Sequence, residues 1–138
     1  TYAGHPVCAA VALETIQIYE DRDIVGHVRR VAPHFQRRLK AMEQHPMVHS
    51  SRGVGLIGAI ELVQDKATGK TFEAGSSVLA RVVSAGFEVG LICRSLRDTL
   101  AVSPPLIITE TQIDELFDKM TRSLDMAHAD ARAAGLMP

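Results

Sequence analysis

Tryptophan is absent from this 138-residue chain, and aromatic residues of all kinds make up only 4% of it. A stacking platform for nucleic-acid bases is therefore not expected, because such surfaces are built from aromatic rings. Charge of one sign is missing too: 15 basic and 16 acidic residues are well mixed and leave a net charge of −1. No basic tract or face marks nucleic acid or an anionic membrane as a partner. No apolar run approaches the length that crosses a bilayer, and the opening residues lack the pattern of a secretory signal. Cysteine is scarce, with only Cys8 and Cys93. Two are too few for a disulfide framework, so a reduced, cytoplasmic setting is the expectation. What remains has the size of one ordinary domain, large enough for a core of its own.

Helical periodicity opens the chain from Pro6 to about Tyr19. Asp21-Arg22-Asp23 can cap a second, long helix on which Ile24, Val28, Val31, Phe35, Leu39 and Met42 draw one apolar stripe. Such a stripe reads as packing, and His45-Pro46 ends the helix. The segment 52–63 is rich in Gly, Val, Ile and Leu and reads as a strand or hairpin bent at Gly55 and Gly58. A polar turn follows at 65–70. Ser76 or Ser77 can start a short helix carrying Val78, Leu79, Val82 and Val83, with Gly86 at its C-terminal end. Segments 87–94 and 99–102 read as two further strands, the second ended by Ser103-Pro104-Pro105. Thr109 and Gln112 form a capping box for a last helix bearing Ile113, Leu116, Phe117, Met120 and Leu124 and running towards Gly135. This order predicts a two-layer α/β (α+β) domain: a short, mostly antiparallel sheet covered by helices and preceded by a long connecting helix.

Several motifs are less than they look. Gly53-Val54-Gly55-Leu56-Ile57-Gly58 is a literal G-x-G-x-x-G. A dinucleotide fingerprint needs a helix at its end, and here Ala59-Ile60-Glu61-Leu62-Val63 continues as strand. Gly69-Lys70-Thr71 matches the tail of a phosphate-binding loop, but Gln64 stands where its first glycine belongs. His45 and His49 have helical spacing with Pro46 between them, and no Cys or carboxylate pattern completes a metal site. No nucleophile elbow supports a Ser-His-Asp triad. Cys8, among alanines, reads as small-residue packing, and His5 as a cap or packing residue.

Two places hold more promise. Thr1-Tyr2-Ala3-Gly4-His5-Pro6 sets a hydroxyl and a turn glycine before a helix-starting proline. The Thr1 hydroxyl and the free amides behind it then lie at the positive end of a helix, where a phosphate is attracted. Arg94 follows the apolar segment Val89-Gly90-Leu91-Ile92-Cys93 and begins a turn. An arginine at a strand end can offer a rigid fork of donors to a carboxylate, although by spacing alone a surface or structural arginine is the commoner reading.

These residues resemble class III, pyridoxal-phosphate-dependent aminotransferases, whose Thr-Tyr-Ser/Ala-Gly-His-Pro motif the chain opens with. Three more stretches resemble the same family in the same order. Segment 52–62 is similar to its small-domain strand, Gly90-Leu91-Ile92-Cys93-Arg94 to the stretch carrying the mobile arginine of ω-transaminases, and 98–109 to the strand, double proline and helix cap after it. Together they cover nearly the whole chain. Ala3 replaces the commoner serine, a minor departure.

The resemblance implies a C-terminal part of a longer fold-type I enzyme. Residues 1–20 would end a large cofactor-binding domain, and 21–138 would form the small domain with its connecting helix. Thr1 would bind cofactor phosphate across a dimer interface with Tyr2 beside it. Arg94 would read the substrate carboxylate and swing aside for an amine without one. The reaction implied moves an amino group from an amine or ω-amino acid to a 2-oxo acid such as pyruvate. The family's Schiff-base lysine and the acidic partner of the pyridine nitrogen lie upstream of the motif, and Lys40, Lys66, Lys70 and Lys119 match neither. The chain alone is thus expected to be inactive, without a retained cofactor and without catalytic residues of its own. A missing N-terminal lobe and a second subunit are the expected partners, receiving the stripe of the second helix and the small residues of the first. An aminomutase or related class III member, and a non-catalytic α/β interaction module, are the alternatives.

Overall fold

The computed structural model describes residues 3–73 and 76–137. Helix α1 spans Pro6–Asp21 and α2 spans Ile24–Ala41, the latter continued by a single 3-10 turn over Met42–Gln44. Strands β1 (Val48–Val54) and β2 (Ile57–Leu62) form a hairpin. Helix α3 (Ser77–Glu88) leads to β3 (Arg94–Leu96) and β4 (Thr99–Val102), and α4 (Glu110–Ala133) closes the fold. All strand pairings are antiparallel, in the order β1-β2-β4-β3.

The apolar stripe of α2 dictates the layering. Val31, Phe35 and Leu39 are buried and join Ile60, Leu62, Leu100 and Val102 of the sheet with Ile113, Phe117 and Leu124 of α4. The rings of Phe35 and Phe117 meet edge to face at 5.2 Å, a favoured aromatic geometry. Helix and sheet approach closely because Gly53 and Gly58 carry no side chain: a Cβ at Gly58 would lie 2.8 Å from Leu39 Cδ2 and 3.3 Å from Phe35 Cε1. Cross-strand partners share a face, so one face of the sheet is packed under the helices and the other looks outward. A bulge between Val48 and Ser50 reverses the alternation in β1. It lets Val48 and Ser51 both turn towards the helices, where Ser51 donates to Glu43.

Three expectations need correction. The stripe of α2 packs into this chain's own core rather than awaiting another lobe. Segment 87–94 is not a strand: α3 runs on to Glu88, Gly90 turns the chain at φ +76°, and pairing starts only at Arg94. Gly86 does not end α3 but lies buried within it, where a Cβ would meet the Leu91 carbonyl oxygen at 2.9 Å. Helix α1, by contrast, has no buried residue at all.

Ion pairs tie the helices together. Arg38 holds Asp118 at 2.5 Å, His34 holds Asp114 at 2.9 Å, and Arg81 bridges α3 to Asp130 of α4 at 2.5 Å. Glu43 locks the end of α2 to β1, accepting from Lys40 at 2.8 Å and from the Ser51 amide and hydroxyl at 2.8 Å each. The Lys40 ammonium, then Ser51, draw its carboxyl down from 4.5 to about 2.

Two outcomes are expected in urea denaturation. Phe35→Ala removes the ring shared by helix and sheet and costs about 3–5 kcal/mol. Because the Glu43 carboxyl is depressed in the folded state, its contribution is present above about pH 4.5 and lost as pH falls towards 2. The wild-type advantage over Glu43→Gln should therefore be greatest at neutral pH and close across that window.

Candidate functional site

The site is assembled by register. Arg94 of β3 pairs with Ala101 of β4, Ala101 with Ala59 of β2, and Ala59 with Arg52 of β1. Gly58 and Val102, next along their strands, face the helices, so this row faces outward. It places an arginine at each edge of the sheet with two methyl groups between them. Strands lie about 4.8 Å apart, so the two backbones are separated by roughly 14 Å. Arg52 is 3.8 Å from Glu61, which also accepts from Ser50 at 2.7 Å. Among the described residues Arg94 pairs with no carboxylate, and it is exposed. A guanidinium stays charged across the physiological range. An unpaired one standing over small side chains is free to take a carboxylate from solution.

The hairpin that presents it is tight. Leu96 pairs with Thr99 around Arg97-Asp98, and Arg97 adopts φ +57°, which side-chain-bearing residues rarely do. Leu62 N–H donates to the Asp98 carbonyl at 2.8 Å, holding the turn against β2. A cavity of about 910 Å³ opens beside Arg94, between the β3–β4 hairpin, the double-proline segment and the start of α4. The His27 ring N–H donates to the Ile108 carbonyl at 2.8 Å and fixes that segment to α2. Cys93 lines the cavity half-buried, and burial pushes its thiol up.

Thr1 and Tyr2 lie outside the described residues. The helix they precede is described from its start. Gly4 turns at φ +75°, His5 is extended with no side-chain cap, and Pro6 opens α1. Among the described residues the first-turn amides of Val7 and Cys8 have no side-chain cap, an arrangement suited to an anion at a helix start. Cys8 is exposed rather than packed.

The remaining motifs resolve as structure. The G-x-G-x-x-G run is the β1–β2 hairpin, with Gly55 at φ +59° in the turn and Gly53 and Gly58 beneath Leu39. His45 accepts from the Met47 amide at 3.1 Å through Nδ1, and its Nε2–H donates to Asp125 at 3.3 Å. Burial holds it below its usual pKa despite that carboxylate. It is a packing histidine, and among the described residues no group of His, Cys, Asp and Glu could hold a metal ion. No helix among them is long and apolar enough to cross a membrane. The alanine row and the cavity escaped sequence reading. Only the cross-strand register of β1, β2 and β4 could have revealed the row.

Comparison with known proteins sharpens the picture. The aminotransferase class-III family profile matches residues 1–124. A putrescine–pyruvate aminotransferase of Pseudomonas aeruginosa is 44% identical over 131 residues, which are 94% of this chain and 28% of that protein. The crystal structure of an omega-transferase from Vibrio fluvialis JS17 superposes with a TM-score of 0.89 at 40% identity, over 96% of this chain and 32% of that one. A pyridoxal-phosphate-bound mutant aminotransferase from Vibrio fluvialis gives 0.85 at 38% identity, over 91% and 28%. The chain therefore spans about a third or less of the length of these relatives.

Since Arg94 is exposed and unpaired, Arg94→Gln should leave the urea unfolding free energy within about 0.5 kcal/mol of wild type. A larger loss would show that the arginine holds the fold together.

Proposed function

The chain belongs to the class-III aminotransferases, and from that premise we propose that it serves as the C-terminal part of a pyridoxal-phosphate-dependent transaminase. In this reading residues 1–20 end the large cofactor-binding domain and 21–138 form the small domain. The reaction moves an amino group from an amine or ω-amino acid to a 2-oxo acid such as pyruvate. The observation that carries it is the match over residues 1–124, which takes in both Thr1 and Arg94. Pyruvate as acceptor is supported by the name of the Pseudomonas relative.

The residues present suit one end of the cofactor. The start of α1, without a side-chain cap among the described residues, offers amide donors of the kind a phosphate needs, and in this reading Thr1 and Tyr2 complete that site. When bound, pyridoxal phosphate supplies the electron sink for breaking bonds at the amino-bearing carbon. Arg94 binds the carboxylate of the amino or 2-oxo acid. Because guanidinium cannot lose its charge at working pH, a donor amine with an uncharged side chain requires it to turn away, and the small Ala101 and Ala59 leave the face beside it open.

The other end of the cofactor finds nothing here. Lys40 is bound to Glu43 and Lys119 to Glu115, each at 2.7 Å. Lys66 donates to the Glu43 and His45 carbonyls, and Lys70 lies in the 65–70 turn. None lines the cavity beside Arg94 or the outward row. Covalent attachment of the cofactor therefore falls to a preceding lobe, and the phosphate site to a homodimer with a second subunit. The apolar side chains of α1 support such docking: Val7, Val11 and Leu13 are 63%, 61% and 69% exposed, an arrangement that marks a surface awaiting cover.

Borohydride reduction of the isolated chain with pyridoxal phosphate should leave a 15.0 kDa mass without a stoichiometric adduct, and no amino transfer to pyruvate should be detectable. A single adduct or measurable turnover would overturn the assignment. An assembled hybrid with the N-terminal lobe of the Pseudomonas relative is expected to transfer amino groups. In it, Arg94→Gln should raise KM for pyruvate roughly tenfold or more with a smaller change in kcat.

A further inference from the structure

We propose that His45 is a pH-sensitive latch: its neutral ring pins the entry of β1 to α4, and protonation at mildly acidic pH releases that entry. The device belongs to the fold of this chain and is independent of the amino-transfer reading.

Every polar atom of His45 is engaged at the passage from the 3-10 turn into β1. Its amide donates to the Met42 carbonyl at 3.0 Å, and its own carbonyl accepts from the Val48 N–H at 3.0 Å. Nδ1 accepts from the Met47 N–H at 3.1 Å, and Nε2 lies 3.3 Å from a carboxylate oxygen of Asp125 on α4. A backbone amide can only donate, so Nδ1 presents its lone pair and the ring proton sits on Nε2. A second proton goes to Nδ1, where it meets the Met47 N–H donor to donor. That bond then breaks. Met47 and Val48 are both fully buried, a place where an unanswered amide is costly.

The surroundings of the ring favour release. From α4 come Asp125 and His128, whose ring centroid lies 5.9 Å from that of His45. From the 65–70 turn Lys66 donates to the His45 and Glu43 carbonyls. From the 3-10 turn comes Glu43, already engaged by Lys40 and Ser51. Asp125 welcomes an imidazolium, but its side chain is 65% exposed and solvent screens it, whereas the His45 side chain is 8% exposed. Burial lowers the His45 pKa most, Asp125 opposes it, and His128 and Lys66 add to the lowering. The stabilisation given by the neutral ring is therefore complete above the ordinary value of 6.5 and is lost as pH falls through the lower folded-state value. What it holds is the open end of the β1–β2 hairpin, where Val48 pairs with Leu62 and the Met47 carbonyl accepts from the Val63 N–H at 2.9 Å.

The test is an NMR titration of the 138-residue chain from about pH 7.5 to about pH 5, a window in which Glu43, at about 2, does not titrate. Imidazole nitrogen shifts should show His45 as the Nε2–H tautomer at the upper end and gaining a proton on Nδ1 within the window. As it does so, hydrogen-exchange protection of the Met47 amide should fall roughly tenfold or more, while that of Phe117 inside α4 holds. His45→Asn keeps a side-chain acceptor two residues before the same amide and carries no titrating group, so its Met47 protection should stay level. His128→Gln should still show the fall. A ring that stays neutral throughout, a level Met47 amide in the wild type, an equal fall in His45→Asn, or no fall in His128→Gln would each overturn the proposal. The wild-type tautomer and exchange readings decide the matter even where a variant fails to fold.

Discussion

The contact on which the structure depends is the ring of Phe35 lying between Gly58 of the sheet and Phe117 of α4. Two helices and the sheet meet at that ring. Its burial brings α2 down onto β2, and only glycine at positions 53 and 58 allows so close an approach. With β2 seated, the pairing of Gly58 with Val102 fixes β4, and the pairing of Ala101 with Arg94 fixes β3. The position of a solvent-facing arginine is thus set by an aromatic ring on the opposite side of the sheet. A slip of one residue would turn Arg94 inward and put an unpaired charge in the core.

Charges divide along the same line. On the helical side Arg38, Arg81, Glu43 and Asp114 have partners within hydrogen-bonding reach. Exposed pairs of this kind each contribute little, but they leave no strong field pulling at a ligand. The outward face carries one satisfied arginine, Arg52 with Glu61, and one unsatisfied, Arg94. Pairing on the helical side serves the fold, and the outward face keeps Arg94 without a carboxylate partner among the described residues.

Helix α1 follows a different logic from the rest. Its aliphatic residues spread around the helix instead of forming a stripe, so no single face could satisfy them. The core draws on α2, the sheet, α3 and α4 and takes no residue from α1. Its periodicity and Pro6 were enough to read it as a helix. Nothing in its own residues says what it packs against, since apolar side chains show a need for burial and not a direction.

Elements with local signals were legible: the capping box at Thr109 and Gln112, the α2 stripe, and the hairpin behind an apparent nucleotide motif. The segment 87–94 was not. Its Phe, Val, Leu and Ile suit a strand by propensity, but Leu91 N–H bonds back to the Gly86 carbonyl at 2.7 Å and Gly90 reverses the chain at φ +76°, a turn that propensity does not register. The opening motif was legible as chemistry because residue type, caps and spacing are local properties, whereas Arg94 stood out only through the family resemblance. The sequence alone determined most of the elements and the two-layer class. The tertiary structure alone decided that Arg94 shares a row with two alanines and Arg52, that it stands beside an apolar cavity, and that it has no ionic partner among the described residues. Those are facts of register and packing, set by residues distant in the chain that meet only when the sheet closes under Phe35.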